Sequence, residues 1–273
     1  MPSSQPCLAD TYALSRDYTA TSRLNYQYYL WKETLGYDLH PSISLADTGS
    51  ARAIADVGCG TAIWLRSIAQ ALPNDIFDGL DISLAQCPPV QWLPPNVSLR
   101  AWDLFSEPPQ ELRCRYDVVH ARLLFVVVQN EDPRPVINNL KLLLKPGGYL
   151  QWDELNVPGS SILRTSHDVQ VPEMESRLAS LKQIGGWVKR LGSYMVECGF
   201  SEEGCWEYGE KKELAQAFFD NHLAKDVEMI VTRTQPVADR DAQLNAIKDL
   251  YDESRKGAVL CTPKVVCVAR KMV

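Results

Sequence analysis

Hydrophobic positions follow two different periodicities along the chain. Over residues 12–35, apolar side chains recur every three or four positions, so this segment is predicted to be an amphipathic helix. Residues 53–154 instead alternate between short β-branched apolar runs and helical stretches, which is typical of parallel strands connected by helices. Five strands are predicted there, within the segments 53–64, 76–83, 97–105, 116–121 and 142–154.

The C-terminal part of the chain has a different order of elements. Residues 204–210 and 264–270 are predicted to be the last two strands, paired as an antiparallel hairpin. They are separated by about 50 residues, too many for a plain loop, so two inserted helices are expected. Residues 157–173 are expected to be an irregular polar insertion. The predicted organisation is one domain over residues 1–273, with a cap helix at 12–35, a core at 53–154 and helical insertions at 155–185 and 211–258.

The turn after the first strand carries the most specific pattern. The strand reaches Asp56, passes through Gly58 and Gly60, whose backbones can adopt torsions that a side chain would forbid, and opens a helix that Thr61 is expected to cap. Such a turn is typical of nucleotide-type cofactor sites. A dinucleotide fingerprint would need a third glycine where Ile63 stands, and a phosphate loop would need Gly-Lys-Ser/Thr. Neither is present.

A second acid follows at the end of the next predicted strand. Asp81 comes 21 positions after Gly60, about the spacing at which an acid reaches ribose hydroxyls in Rossmann-type sites. A carboxylate suits this role because it accepts hydrogen bonds from both hydroxyls of a diol. Ile82 would then lie against an adenine ring. The alternative is that Asp81 only caps the segment that follows it.

These features resemble a known family. The pattern Asp56-x-Gly58-x-Gly60 is similar to motif I of the class I S-adenosylmethionine (SAM)-dependent methyltransferases, and the turn Leu-Lys-Pro-Gly-Gly at 144–148 is frequent in that family. Ala62 stands where many members have a third glycine. The resemblance implies an α/β, Rossmann-like fold of seven strands, with SAM as the cofactor.

Further stretches of the sequence resemble one subgroup of this family. Residues 12–18 and 22–32 look like the N-terminal helix of small fungal secondary-metabolism methyltransferases, and the phrases at 92–99 and 130–135 belong to the same likeness, which covers about residues 10–155. Tyr28 replaces a histidine often found in that helix. Members act in pathways such as epipolythiodioxopiperazine and alkaloid biosynthesis, and the global regulator of fungal secondary metabolism is a distant relative. The resemblance therefore implies a small-molecule substrate.

Further site residues are expected from this resemblance. Asp103 is expected to accept the adenine amino group, with Trp102 and Leu104 packing on the ring, although a tryptophan there is as often a core residue. Helix 12–35 is expected to close over the cofactor, with Tyr18 and Arg23 contacting its methionine end, because arginine binds carboxylates through two parallel hydrogen bonds. The alternative is a helix that only packs against the flank of the sheet.

Methyl transfer needs mainly an aligned nucleophile, and a base only where the acceptor is protonated at working pH. His120 is the candidate base because it ends the fourth predicted strand and has an ordinary pKa near neutrality. It is equally compatible with a pocket wall that transfers no proton. Trp152, Asp153 and Glu154, at the end of the fifth strand, are candidate substrate-binding residues.

Composition narrows the class of partner. The net charge is −6, with 28 basic and 34 acidic residues, which disfavours nucleic acid because phosphate contacts need clustered lysine and arginine. The eight cysteines form no Cys-x-x-Cys pair, so a reducing compartment is expected. The sequence shows no signal peptide and no apolar run long enough to span a membrane, which predicts a soluble, cytoplasmic protein. No metal site is expected, and the oligomeric state is left open.

The sequence therefore predicts a SAM-dependent methyltransferase acting on an oxygen, nitrogen or sulfur atom of a small secondary metabolite. Two alternatives stay open. One is a SAM-binding regulatory protein of secondary metabolism, and the other is a cyclase that uses a methyltransferase fold without transferring a methyl group.

Overall fold

A computed structural model describes residues 14–45 and 50–273. Its helices are α1 (Tyr18–Leu35), α2 (Ile63–Ala71), α3 (Arg134–Leu143), α4 (Pro172–Leu181), α5 (Leu191–Glu197), α6 (Lys212–Arg233) and α7 (Val237–Ser254). Its strands are β1 (Ala53–Val57), β2 (Ile76–Asp81), β3 (Val97–Ala101), β4 (Tyr116–Arg122), β5 (Leu144–Leu155), β6 (Ser161–Arg164), β7 (Phe200–Tyr208), β8 (Ala258–Cys261) and β9 (Lys264–Lys271).

Seven of the strands form one mixed sheet in the order β3-β2-β1-β4-β5-β9-β7. The first five are parallel, and β9 runs antiparallel to both β5 and β7. The predicted Rossmann-like sheet of seven strands is confirmed. Because the parallel strands end at one edge of the sheet, the residues that follow β1, β2, β3 and β4 lie together there.

Helices cover both faces of this sheet. One face packs against α3 and α5 through a buried cluster that includes Trp152 and Trp187, and the other packs against α1 and α2 through a cluster that includes Trp31 and Trp64. A third cluster joins α4, α6, α7 and β8, where Phe219 and Leu250 are buried. The apolar face of α1 is therefore covered, as its periodicity required.

Helix α1 begins later than predicted. Residues 14–17 are not helical, and positions 12 and 13 lie outside the described residues. The helix starts at Tyr18 because the side chain of Asp17 accepts a hydrogen bond from the Ala20 N–H at 2.9 Å, which is an N-cap. Its C-terminus is set by Gly36, which adopts the left-handed conformation.

The insertion at 157–173 is not wholly irregular, contrary to the prediction. It contains β6, which pairs with β8 as a separate antiparallel ribbon. Four residues are too few to show a two-residue periodicity, and the pairing partner lies far away in the sequence. The two inserted helices expected between the last two strands of the large sheet are present as α6 and α7.

Two cysteines are joined, contrary to the expectation drawn from the sequence. Cys205 on β7 and Cys267 on β9 are register partners and form a disulfide. Spacing gave no signal for this pair, because the two positions are 62 residues apart and meet only when the antiparallel strands align.

Candidate cofactor and active site

The turn after β1 is fixed by the neighbouring strand. Gly58 and Gly60 have φ angles of +72° and +52°, a region that favours glycine. The Gly58 N–H donates to the carbonyl oxygen of Leu80 on β2 at 2.8 Å. A Cβ at Gly58 would lie only 3.0 Å from Leu124. At Gly60 the nearest atom would be 3.9 Å away, so the turn has room for a ligand against its backbone.

Asp81 lies at the carboxyl end of β2, beside this turn. One carboxylate oxygen accepts the N–H of Gly60 at 2.9 Å, and the other accepts the N–H of Ser83 at 3.0 Å. Burial raises the pKa of Asp81 against the lowering effect of these bonds. Asp81 therefore holds the segment that follows it, as the alternative interpretation of the sequence expected, and it also faces the glycine turn.

Helix α1 lies against the same turn. Asn25 accepts a hydrogen bond from the Thr61 hydroxyl at 2.7 Å, and Gln86 donates to Thr21 at 3.4 Å. The predicted helix-capping role of Thr61 is wrong, because α2 begins at Ile63 and Ala62 precedes it in the left-handed conformation. Thr61 instead connects the turn to α1.

The two α1 residues expected to contact the methionine end have different surroundings. Tyr18 is 85% exposed. Arg23 is buried and forms an ion pair with Glu228 of α6 at 2.8 Å. The Nη2 atom of Arg23 has no hydrogen-bond partner within the described segments. Arg23 therefore faces α6, and one of its donors is available inside the protein.

The expected adenine side has both exposed and core residues. Ile82 follows β2 and is 48% exposed, and Leu104 is partly buried. Asp103 accepts the N–H of Phe105 at 3.0 Å. Trp102 is buried in the cluster that contains Leu80 and Tyr116, which favours the interpretation of Trp102 as a core residue.

His120 lies in a buried chain of charged groups. Its Nδ1 is 2.7 Å from Asp56 on β1, and its Nε2 is 3.4 Å from Asp153 on β5. Asp153 in turn accepts hydrogen bonds from the guanidinium of Arg122 at 2.8 and 3.1 Å. Burial alone would lower the pKa of His120, but the hydrogen bonds and charges of Asp153 and Asp56 outweigh it and raise the pKa. His120 is only 1% exposed.

The candidate substrate residues at the end of β5 are all buried. Trp152 lies in the core, and its indole N–H donates to Glu154 at 3.4 Å. Burial raises the pKa of Glu154 to about 8, and the N–H of Leu155 donates to its carboxyl group at 3.0 Å. Trp152, Asp153 and Glu154 therefore lie inside the protein and are not exposed at the candidate site.

Sequence reasoning missed three residues around this site. Trp64 stacks on His120 with ring centres 4.0 Å apart, Arg122 binds Asp153, and Asn25 binds Thr61. Arg122 could have been found, because it lies two positions after His120 on the same face of β4. Trp64 and Asn25 gave no signal, because each reaches the site only through a tertiary contact, with His120 and with Thr61.

A small cavity of about 60 Å³ lies between α4, α6, α7 and the end of β5. Its walls combine apolar side chains, such as Phe219 and Leu250, with polar and charged ones, which include His222, Lys225 and Asp226. Burial, together with the positive charge of Lys225, lowers the pKa of His222 to about 3, so its imidazole is neutral.

Across the described residues, no group of histidine, cysteine and carboxylate side chains could hold a metal ion. None of the described helices is long and apolar enough to cross a membrane.

Residues 55–150 match the family model described as a methyltransferase domain. Methyltransferase grgD of Penicillium is 35% identical over 151 residues, which cover 50% of this chain and 52% of that protein. N-methyltransferase sirN of Leptosphaeria maculans is 28% identical over 202 residues, 73% of this chain and 68% of that one. The chain spans about half the length of the Penicillium relative that it matches.

A solved structure shows the same architecture. Phosphoethanolamine N-methyltransferase 2 of Haemonchus contortus, in complex with SAM, superposes with a TM-score of 0.53 over 94% of this chain and 58% of that one, at 13% identity. Identity this low shows a shared fold. The predicted resemblance is confirmed: the protein has the class I methyltransferase fold, and residues 55–150 match a methyltransferase domain. It is similar to fungal methyltransferases such as those of Penicillium and Leptosphaeria.

Proposed function

We propose that this protein binds SAM and transfers its methyl group to a small molecule of fungal secondary metabolism. The observation that carries this proposal is the glycine turn with Asp81 held beside it. Each Asp81 oxygen accepts one backbone N–H, so each keeps a lone pair for a ribose hydroxyl. The family match over residues 55–150 and the named activity of the relatives support the same cofactor.

The residues around the turn fit the parts of this cofactor. We assign the ribose to Asp81, the adenine to Ile82, Asp103 and Leu104, and the methionine part to the backbone of Gly58 and Gly60. Asp56, Tyr18 and Arg23 stay in the proposed cofactor set, and Trp102 supports it from the core. When bound, SAM supplies an electrophilic methyl group on a sulfonium. The protein supplies orientation and excludes water.

The surroundings of His120 bear on the choice of acceptor atom. His120 is enclosed by two carboxylates, so it is poorly placed to take a proton from an acceptor hydroxyl. We therefore propose an acceptor that needs no strong base, such as a neutral amine or a thiolate. The name of the Leptosphaeria relative, an N-methyltransferase, supports the amine. The cavity that His222 lines is the proposed place for part of the acceptor, with Asp153 and Glu154 supporting the nearby end of β5.

Turnover of SAM to S-adenosylhomocysteine tests this proposal. Purified protein is incubated with SAM and a panel of amine, thiol and phenol metabolites, and both products are followed by mass spectrometry. A methyltransferase forms S-adenosylhomocysteine and a methylated acceptor together. A regulatory protein binds SAM without turnover, and a cyclase converts its substrate without forming S-adenosylhomocysteine. Absence of SAM binding in calorimetry would reject the proposal altogether.

We also propose a single domain over residues 1–273 and a cytoplasmic location. Five of the described cysteines are free thiols, which is common in reducing compartments, and the Cys205–Cys267 disulfide is the exception. One cooperative unfolding transition and fractionation of the native cells test these two points. Nucleic acid is not a proposed partner, because the net charge is −6.

A further inference from the structure

We propose that His120 is a positioning residue: as an imidazolium held between Asp56 and Asp153, it fixes the cofactor turn on one side and the guanidinium of Arg122 on the other. This inference rests on the proposed function, because Asp56 leads into the glycine turn and that turn is the proposed SAM site. The geometry on which it stands does not depend on the cofactor.

With both carboxylates ionised, the charges of these four side chains balance when His120 is protonated. Asp56, His120 and Asp153 are each less than 5% exposed, and Arg122 is nearly buried. Buried charges are costly unless they are paired. Arg122 neutralises one carboxylate, and a protonated His120 is the cation that neutralises the other. A neutral imidazole would leave one uncompensated negative charge inside the protein.

Hydrogen bonding leads to the same protonation state. Both ring nitrogens face a carboxylate oxygen, and an ionised carboxylate can only accept. A neutral imidazole has one N–H, so it could satisfy one contact and would set a lone pair against the other oxygen. The imidazolium donates to both.

Aromatic and charged groups pack around His120. Trp64 of α2 covers one ring face, with the two planes only 1° apart, and carries no charge. The backbone N–H of His40 donates to Gln151, which donates to the second oxygen of Asp153. Burial would raise the pKa of Asp153, but Arg122 and His120 hold it below its usual value. Asp56 and Asp153 are therefore the groups that set the charge of His120.

The row of charged side chains from Asp56 through His120 and Asp153 to Arg122 connects two parts of the candidate site. Asp56 lies two residues before Gly58, in the strand that ends in the cofactor turn. Arg122 is the last residue of β4, and its guanidinium lies 5.3 Å from the ring of Trp31 on α1. Loss of the positive charge on His120 would therefore free both the strand that leads into the cofactor turn and the guanidinium of Arg122. Because the folded state raises the pKa of His120, its contribution to stability is present below about pH 6.5 and is lost as the pH rises through the folded pKa.

The test compares His120→Gln with the charge-balanced double variant Asp56→Asn/His120→Gln. The single variant removes the cation and keeps both carboxylates, so the melting temperature should fall by at least about 5 °C. The double variant leaves only the neutral Arg122–Asp153 pair, and it should recover at least half of that fall. A double variant no more stable than the single one would overturn the proposal.

Two further measurements separate positioning from packing. Nitrogen chemical shifts of the histidine rings, assigned with His120→Gln, should show His120 doubly protonated at pH 7, and a neutral ring would overturn the proposal. SAM affinity at pH 7 should fall at least tenfold in His120→Gln, whereas the control His167→Gln, at an exposed position, should match the wild type. Equal affinity in wild type and His120→Gln rejects the inference alone, while absence of binding to the wild type rejects the proposed function.

Discussion

The backbone N–H of Gly60 donates to the carboxylate of Asp81 across 2.9 Å, which joins the glycine turn after β1 to the end of β2. The two residues are 21 positions apart, and each is placed by a different strand of the parallel sheet. A ligand that contacts the backbone of the glycine turn therefore also lies next to the carboxylate of Asp81. This relationship makes Asp81 the residue whose replacement is most informative.

We expect Asp81→Ala to lower SAM affinity at least tenfold, because two hydrogen bonds to a charged acceptor contribute about 1.5–3 kcal/mol each. Isothermal titration calorimetry measures the affinity, and circular dichroism checks the fold. The control Asp132→Asn neutralises a half-buried carboxylate whose hydrogen bonds, among the described residues, go to Arg134, so its affinity should equal that of the wild type. Unchanged affinity in Asp81→Ala would exclude Asp81 from the site. NAD should not bind measurably to any of these proteins.

The position of Asp81 at the end of a strand was predictable from the sequence for a physical reason. Strands β1, β2 and β4 are short apolar runs that end near Asp56, at Asp81 and near His120, and parallel strands bring such ends to one edge. The fold and the turn are therefore local consequences of pattern and spacing. The role of His120 was not predictable in this way, because its charge depends on Asp153, which reaches it only when β5 pairs beside β4. The same reason explains why β6 and the Cys205–Cys267 pair were missed.

Glu154 gives a prediction about pH. Its folded pKa is about 8, whereas a glutamate in an unfolded chain titrates near about 4.3. Between these values the folded state keeps a proton that the unfolded state has lost, so the free energy of unfolding falls as the pH rises through this window. Glu154→Gln keeps the shape without a charge, so its melting temperature at pH 8 should exceed that of the wild type by roughly 3–8 °C.

The comparison is made by thermal melts at pH 5, 6, 7 and 8. The wild-type melting temperature should decline more steeply than that of Glu154→Gln over this range. Glu203→Gln, at an exposed position of β7, is the matched control and should follow the wild-type slope. Parallel slopes in Glu154→Gln and the wild type would show that Glu154 is already ionised in the folded protein.

His222 tests the place of the acceptor. Its imidazole is neutral and lines the cavity beside α4 and α7, so it can exchange a hydrogen bond with a bound molecule. With an acceptor found in the turnover assay, His222→Phe should raise the acceptor KM at least tenfold, because the polar contact is lost. The Kd for SAM should change less than twofold. Val231→Ala, on an exposed face of α6, is the control, and an unchanged acceptor KM in His222→Phe would place the acceptor elsewhere.

Whether α1 closes the cofactor site or only packs beside it can be decided at Asn25. Deleting residues 1–35 would remove Trp31, which is fully buried, so loss of activity after deletion would not separate the two roles. Asn25→Ala removes the acceptor of the Thr61 hydroxyl, and alanine is a better helix former than asparagine, so α1 should stay folded. The Thr61–Asn25 hydrogen bond contributes about 0.5–1.5 kcal/mol to holding the turn, so its loss predicts a two- to tenfold weaker affinity for SAM.

Calorimetric titration of Asn25→Ala with SAM measures this effect, and a thermal melt shows whether stability has changed. Tyr29→Ala is the control on the same helix, because Tyr29 is 60% exposed. A helix that closes over the cofactor gives weaker binding in Asn25→Ala and wild-type binding in Tyr29→Ala. Equal affinity in both variants, with a lower melting temperature in Asn25→Ala, would assign α1 to packing alone, since the Thr61 contact would then stabilise the fold without shaping the site.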